Sequence, residues 1–161
     1  MDKTPISVEG FNKLRARLKT LKEVERPAVL AAVQRAREYG DLRENADYSA
    51  AKDRQREIDG EIRRIEGVMN NANVVDVALL SGERVMFGAR VAVEDEDGNR
   101  ACYEILSESE SDMSKGVISF ASPLARGMIG KRKGERCMIR TPAGEKELVI
   151  IDVKYGRHDL S

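Results

Sequence analysis

The chain has 161 residues, of which 35% are charged, and its 28 basic residues balance 28 acidic ones. The balanced charge and the scarcity of aromatic residues argue against general affinity for nucleic acid and against a surface that stacks successive bases. Only Cys102 and Cys137 are present, and His158 is the single histidine, so neither a disulfide framework nor a Cys/His metal site is expected. No segment resembles a signal peptide or a membrane span, which predicts a soluble, reduced, cytoplasmic protein.

A first helical region follows Ser7, a candidate N-cap because its hydroxyl can accept a hydrogen bond from a free amide of the first turn. Behind it, apolar residues recur at three- and four-residue steps, as on one face of a helix: Phe11, Leu14, Leu18 and Leu21. Pro27 lacks a backbone donor, so we expect it to kink the helix or to start a new one. The apolar pattern then resumes at Ala28, Val29, Val33 and Ala36. Gly40 is expected to end the helix.

A second helical region, predicted from Glu44 to Ala72, carries a cleaner apolar stripe. Its members fall on successive a and d positions of a heptad pattern, with one polar exception: Tyr48, Ala51, Gln55, Ile58, Ile62, Ile65, Met69 and Ala72. At about 1.5 Å per residue, this helix would reach roughly 40 Å. Because a short connection gives antiparallel neighbours, we predict an antiparallel helical hairpin with the connection at its far end.

Helical spacing gives way near residue 76 to short β-branched runs separated by turn residues, which predicts a domain boundary there. A β-hairpin is expected around Asp97-Gly98-Asn99, and a second turn at Pro142-Ala143-Gly144. Between these turns, Ser122 as N-cap and Pro123 at the first helical position predict a short helix. Residues 108–116 are acidic and rich in serine, which predicts a mobile loop. The C-terminal part is therefore predicted to be an α+β domain.

The connection between the two long helices contains the acidic motif GDLRENADY, residues 40–48, with acids at Asp41, Glu44 and Asp47. One interpretation is structural: Asp41 caps the second helix, and Glu44 reaches back to its amide as in a capping box. The other is functional, since carboxylates at the end of a hairpin could offer oxygen ligands to a divalent cation. Two carboxylates alone would bind Mg²⁺ weakly, so a phosphate or another protein would have to complete the site. The residues by themselves leave both interpretations open.

Other side chains near the acidic motif also allow two interpretations. Leu42 lies in the turn with no core to enter, although single exposed leucines are ordinary. Arg37 and Lys52 lie within roughly 12 Å of the acids along the helix axis, where they could position a phosphate or form surface ion pairs. Tyr48 could orient one of the acids, but its place in the apolar stripe favours packing.

Three segments, EYGDLRENADYSAAK, SPLARGMIGK and TPAGE, occur in this order along the chain. Together they resemble the Gre family of bacterial transcript cleavage factors, and the resemblance spans essentially the whole chain. It implies an α+β protein in which residues 1–76 form an antiparallel coiled-coil hairpin with an acidic tip. Residues 77–161 would form a small FKBP-like α+β domain. The boundary that the hydrophobic pattern predicts near residue 76 agrees with this division.

The resemblance also implies a function in transcription elongation on backtracked RNA polymerase. The coiled coil would enter the polymerase secondary channel, where Asp41 and Glu44 would help to hold a second Mg²⁺ of the polymerase active centre. Arg37 and Lys52 would lie near the extruded 3′ segment of the nascent RNA. The tip would be supported by Leu42, Asn45 and Tyr48. The FKBP-like domain would dock at the rim of the channel through a region that includes Ser122, Pro123, Arg126 and Gly127.

The chain is therefore expected to activate RNA cleavage by the polymerase and not to be an enzyme itself, with no cofactor beyond the shared Mg²⁺. We also expect a monomer without membrane contacts. Two functional alternatives are a Gre-like channel-binding regulator that inhibits, and an FKBP-like prolyl isomerase or chaperone. For the latter, an aromatic-lined proline pocket is hard to assemble from the available rings: Phe87, Tyr103, Phe120 and Tyr155. A structural alternative is a hairpin that forms homodimers.

Overall fold

The computed structural model describes residues 3–38 and 45–156. The chain divides into a hairpin unit, Phe11–Ala72, and a sheet unit formed by Met1–Gly10 together with Asn73–Ser161. Helices dominate the first unit and strands the second, so the predicted α+β class is confirmed. The predicted domain 1–76 differs from the hairpin unit at both ends, because residues 1–10 and 73–76 belong to the sheet unit.

The first helical region has three consecutive parts: α1 at Val8–Thr20, a π-helical turn at Leu21–Glu25 and α2 at Arg26–Arg37. Ser7 caps α1 as predicted, since its hydroxyl accepts a hydrogen bond from the Gly10 amide at 3.0 Å. The predicted effect of Pro27 is also observed. A new α-helical segment, α2, starts with this proline in its first turn, and the π-helical turn directly before it is an irregularity of the kind that a missing backbone donor favours.

The second helical region is a single helix, α3, at Ala46–Asn70, which begins after the predicted start at Glu44. It also ends before the predicted end at Ala72, because Ala72 begins a β-strand and so is not part of the helical stripe. Contacts between the two regions show that their helices run in opposite directions, because residues later in the first region contact residues earlier in the second. The pairs are Arg17 with Glu61, Glu25 with Arg54, and Ala36 with Asn45. The predicted antiparallel hairpin is therefore confirmed.

Apolar side chains from both regions form the core of the hairpin unit. The buried members are Leu21, Val29, Ile58, Ile62 and Ile65, and Leu14, Leu18 and Met69 pack against them. The predicted stripe is wrong at Ala28, which is exposed. The π-helical turn widens one turn of helix and shifts the phase of the residues after it, so the apolar face continues at Val29. No helix in the described part of the chain is long and apolar enough to cross a membrane.

Charged side chains flank this core and pair across the hairpin. Arg17 donates two hydrogen bonds of 2.9 Å, from Nε and Nη2, to the two carboxylate oxygens of Glu61. Its Nη1 donates to Glu25, and Arg54 donates to the other oxygen of Glu25 at 2.8 Å. The hydrogen bonds from Arg17 hold the pKa of the Glu61 carboxyl below its usual range.

We expect the hairpin unit to lose stability in acid, in part through Glu61. A carboxyl whose pKa is lowered by folding stabilises the fold above its unfolded pKa, and this contribution is lost as the pH falls through the folded pKa. Urea unfolding at low salt should therefore show a falling free energy of unfolding below about pH 5. Glu61→Gln should reduce this acid dependence measurably, although the partial exposure of the pair keeps the effect modest.

The control for this prediction is Glu57→Gln. Glu57 pairs with Arg54 within the same helix, and its side chain is 67% exposed. Solvent screens such a pair strongly, so this variant should retain the wild-type acid dependence. An acid dependence that is the same in both variants would contradict the role assigned to Glu61.

The described strands of the sheet unit form two β-sheets. A two-stranded sheet contains β1 at Thr4–Ser7 and β2 at Ala72–Val75. A second sheet is built from β3 at Arg90–Asp95, β4 at Arg100–Leu106, β5 at Val117–Ser119, β6 at Arg136–Thr141 and β7 at Gly144–Lys154. Its order is β5-β4-β3-β7-β6, and all neighbours are antiparallel except β4 and β5, which are parallel.

The two predicted turns in this sheet are confirmed. Gly98 lies between β3 and β4 with a φ of 84°, and Gly144 begins β7 with a φ of 120°. Both values lie in the region that favours glycine. Alternate strand residues enter the core, among them Val91, Val93, Leu148 and Ile150. A short helix, α4 at Pro123–Met128, also contributes buried side chains to this core.

Residues 108–116 contain two 3₁₀ turns, Glu108–Glu110 and Met113–Lys115, in place of the predicted loop. The Glu110 carboxylate accepts hydrogen bonds from the hydroxyl groups of Ser7 and Ser107, both of which are buried. It also accepts from the amides of the same two residues, at 3.3 and 3.2 Å. This side chain links β1 to the segment that follows β4, and β1 also pairs with β2, so the first residues of the chain are held in the sheet unit by both interactions.

Candidate functional site

The facing ends of α2 and α3 are joined by the side chain of Asn45, which lies within the acidic motif. Its Oδ1 accepts a hydrogen bond from the Tyr48 amide at 3.0 Å, so Asn45 is the N-cap of α3. Its Nδ2 donates to the Ala36 carbonyl in the last turn of α2, at 2.7 Å. The half-buried carboxamide therefore provides a partner for one backbone group at each helix end.

This N-cap corrects the structural interpretation of the acidic motif. A capping box formed by Asp41 and Glu44 would require the helix to start directly after Asp41, whereas α3 begins at Ala46. A sequence signal for the observed cap does exist: Asn45 is a good N-cap residue, and Asp47 places an acid in the first turn. The more complete D-x-x-E capping pattern, which begins four residues earlier at Asp41, made this signal less evident.

Two of the predicted site residues contact each other beside Asn45. The guanidinium carbon of Arg37 lies 5.9 Å from the centroid of the half-buried Tyr48 ring, within the range of a cation–π contact. Lys52 lies one turn further along α3, and its Nζ donates to Oε1 of Gln55 at 3.3 Å. The structure therefore brings Arg37, Asn45 and Tyr48 together and gives Lys52 a partner on its own helix.

The predicted docking region lies around the short helix α4. Ser122 is its N-cap, as predicted, because its Oγ accepts a hydrogen bond from the Ala125 amide at 3.2 Å. The same hydroxyl donates to the Ser119 carbonyl at 2.6 Å. Pro123 follows in the first turn, where a proline is tolerated. These contacts fix the start of α4 on the end of β5.

The other two residues of the docking region differ in their surroundings. Arg126 is exposed, so its guanidinium is accessible to a partner. Gly127 packs against β6, where an added Cβ atom would come within 2.3 Å of Cδ1 of Ile139 and 3.3 Å of the Met138 carbonyl oxygen. Gly127 therefore has a packing role that its sequence position does not reveal.

The described residues do not provide a metal site. Among residues 3–38 and 45–156, no group of three or more His, Cys, Asp or Glu side chains could hold a metal ion. Asp41, Leu42 and Glu44 lie outside the described residues, so the metal-binding and supporting roles predicted for them remain predictions. The donor chemistry of Asp41 and Glu44 fits Mg²⁺, which prefers carboxylate oxygens, but two carboxylates leave most of its coordination to other groups.

Comparison with known proteins gives matches to both parts of the chain. Residues 4–74 match the family model described as transcription elongation factor, N-terminal, and residues 80–155 match that described as transcription elongation factor, GreA/GreB, C-term. Transcription elongation factor GreA of Thioalkalivibrio sulfidiphilus is 46% identical over 157 residues, which cover 96% of this chain and 99% of the relative. The GreA of Caulobacter vibrioides is 49% identical over 156 residues, with coverage of 96% and 99%.

A solved structure also aligns with most of the chain. The crystal structure of GreA factor homolog 1 (Gfh1) of Thermus thermophilus has 24% sequence identity and a TM-score of 0.45. The alignment covers 94% of this chain and 99% of that protein.

Proposed function

Because the chain belongs to the GreA/GreB family of transcription elongation factors, we propose that it stimulates RNA polymerase to cleave backtracked nascent RNA. Cleavage would produce a new RNA 3′ end in the active centre and so rescue an arrested complex. The observation that carries this proposal is the match of both family models to a chain that contains the acidic motif at residues 40–48. The intact pair of Asp41 and Glu44 favours stimulation over the alternative of an inhibitory regulator.

The hairpin unit is long in comparison with its width, which supports the proposal that it enters the secondary channel. α3 has 25 residues, which corresponds to a helix of roughly 38 Å at 1.5 Å per residue. Two antiparallel helices form a narrow rod, and the chain connecting them carries the acidic motif. We propose that this end enters the channel while the region around α4, with Ser122, Pro123, Arg126 and Gly127, docks at the channel rim.

In this proposal Asp41 and Glu44 would hold a Mg²⁺ ion shared with carboxylates of the polymerase. When bound, a second metal ion supplies charge stabilisation for the attacking and leaving oxygens of a phosphodiester. The chain itself supplies the two carboxylates, and the cationic side chains of Arg37 and Lys52 would position phosphates of the RNA 3′ segment. No nucleophile of its own is required, so the chain acts as an activator and not as a nuclease.

The test is a reconstituted, backtracked polymerase complex with end-labelled RNA. Addition of the wild-type chain should shorten the RNA from its 3′ end at a rate well above that of the polymerase alone, and the chain without polymerase should leave the RNA intact. RNA that remains uncleaved at a saturating concentration of the wild-type chain would contradict the proposal. We expect the active species to be a cytoplasmic monomer, and measurement of the mass in solution tests the homodimer alternative.

A further inference from the structure

The two ends of the Asn45 carboxamide have different functions. Oδ1 accepts from the Tyr48 amide and caps α3, whereas Nδ2 crosses to the Ala36 carbonyl of α2. Both distances, 3.0 and 2.7 Å, are those of well-formed hydrogen bonds. An aspartate could cap α3 equally well, but it has no donor for Ala36, and a serine hydroxyl is shorter. The link between the helices therefore depends on an atom that capping does not need.

The partners also fix the orientation of this carboxamide. A donor faces Oδ1 and an acceptor faces Nδ2, so the flipped side chain would set donor against donor and acceptor against acceptor. Ala36 is buried, which keeps water from replacing Nδ2 easily. The guanidinium of Arg37 over the Tyr48 ring adds a second contact between the same two helix ends.

We propose that Asn45 is a positioning residue for the acidic motif, because its Nδ2 fixes the distance between the end of α2 and the start of α3. This inference rests on the proposed function, in which Asp41 and Glu44 supply ligands to Mg²⁺. Because the core already packs α2 on α3, this additional hydrogen bond narrows the range of distances that the connection between the two helices has to span. Less conformational entropy is then lost when its side chains bind, and binding and reaction geometry both improve.

The test compares Asn45→Asp and Asn45→Ser in stimulated cleavage by a backtracked polymerase. Both variants keep an oxygen acceptor for the Tyr48 amide, and both lack the amide donor to Ala36. The maximal cleavage rate at saturating factor should fall by about 10- to 100-fold. For the uncharged Asn45→Ser, the Mg²⁺ concentration for half-maximal cleavage should also rise. The factor concentration for half-saturation should stay within about twofold, because the region around α4 is unchanged.

Hydrogen exchange at the Tyr48 amide separates positioning from capping. Its protection should remain close to wild type in Asn45→Asp and Asn45→Ser, because the N-cap acceptor is still present. Asn45→Ala removes both functions and serves as the control in which this protection is lost. A purely structural role of Asn45 would not change the Mg²⁺ requirement of cleavage while leaving the amide protected.

Each outcome either supports or overturns the proposal that Asn45 positions the acidic motif. Reduced maximal rates with Tyr48 still protected would support positioning by Nδ2. Rates within about twofold of wild type in both variants, at an unchanged Mg²⁺ requirement, would overturn it and leave the proposed function standing. Loss of Tyr48 protection in both variants would overturn it too, because capping would then explain the loss of activity. If the wild-type chain itself fails to stimulate cleavage, the proposed function falls and this inference falls with it.

Discussion

Asp41→Asn and Glu44→Gln should each lower the rate of stimulated transcript cleavage by about 100-fold or more. Each replacement keeps the size of the side chain but removes the negative charge with which a carboxylate holds Mg²⁺. The measurement is single-turnover cleavage of nascent RNA in a reconstituted backtracked complex over a range of Mg²⁺ concentrations. Part of the lost rate should return at high Mg²⁺, because mass action offsets weaker binding.

Asp47→Asn is the matched control for these two variants. Asp47 is the third acid of the same motif, and it lies exposed in the first turn of α3. Its replacement should keep cleavage within about threefold of wild type, at the cost of a small favourable interaction with the helix dipole. Equal losses of cleavage rate in all three variants would indicate a general effect of negative charge and would contradict a specific role of Asp41 and Glu44 in metal binding.

The thermal stability of the same variants addresses the alternative that the acids only cap a helix. Asn45 already supplies the N-cap of α3, so Asp41→Asn and Glu44→Gln should melt close to the wild-type temperature. A loss of stability without a loss of cleavage would contradict the proposed role of the pair. The opposite pattern, stable variants without stimulation, is the expected result.

Gly10→Ala should lower the free energy of unfolding by about 1–3 kcal/mol, although helix propensity alone predicts a gain of up to about 1 kcal/mol. Gly10 is buried in the first turn of α1, and an added Cβ would come within 2.3 Å of Oε1 of Glu110. This carboxylate accepts hydrogen bonds from Ser7 and Ser107, so it cannot move aside without losing them. Repulsion and lost hydrogen bonds should together exceed the gain in propensity.

Gly67→Ala is the control for this prediction, because it makes the same chemical change at an open position. Gly67 lies within α3, is exposed, and an added Cβ would meet nothing within 4 Å. At this position helix propensity alone should determine the effect, and the free energy of unfolding should rise by about 0.5–1 kcal/mol. Urea unfolding followed by circular dichroism measures both effects. A stabilising effect of Gly10→Ala would contradict the tight packing of Glu110 against α1.

The helical part of the fold was predictable because local rules decide it. The apolar stripe of α3 recurs at helical spacing, Ser7 and Pro27 have side chains suited to the first turn of a helix, and a short connection requires antiparallel neighbours. The turns at Gly98 and Gly144 were predictable for a similar reason, since positive φ favours glycine. Where the pattern failed, at Ala28, the π-helical turn had shifted the phase of the helix.

The candidate site was predictable in its residue types but not in its hydrogen bonds. Asp41 with Glu44 and Asn45 with Asp47 are overlapping patterns, and each can start a helix by local rules. In the structure Asn45 is the N-cap of α3, and the Ala36 carbonyl, which belongs to another helix, accepts a hydrogen bond from its Nδ2. An aspartate has no donor for that carbonyl, and no local rule contains this information.

By itself, the sequence determined the α+β class, the antiparallel hairpin and the acidic motif, because spacing, turn chemistry and charge act within a few residues of the chain. Only the tertiary structure decided that residues 1–10 join the sheet unit and that Asn45 links two helices. The first of these involves Glu110, which lies 103 residues from its partner Ser7, and the pairing of β1 with β2. Contacts over such separations form only when the whole chain has folded, so no local pattern can encode them.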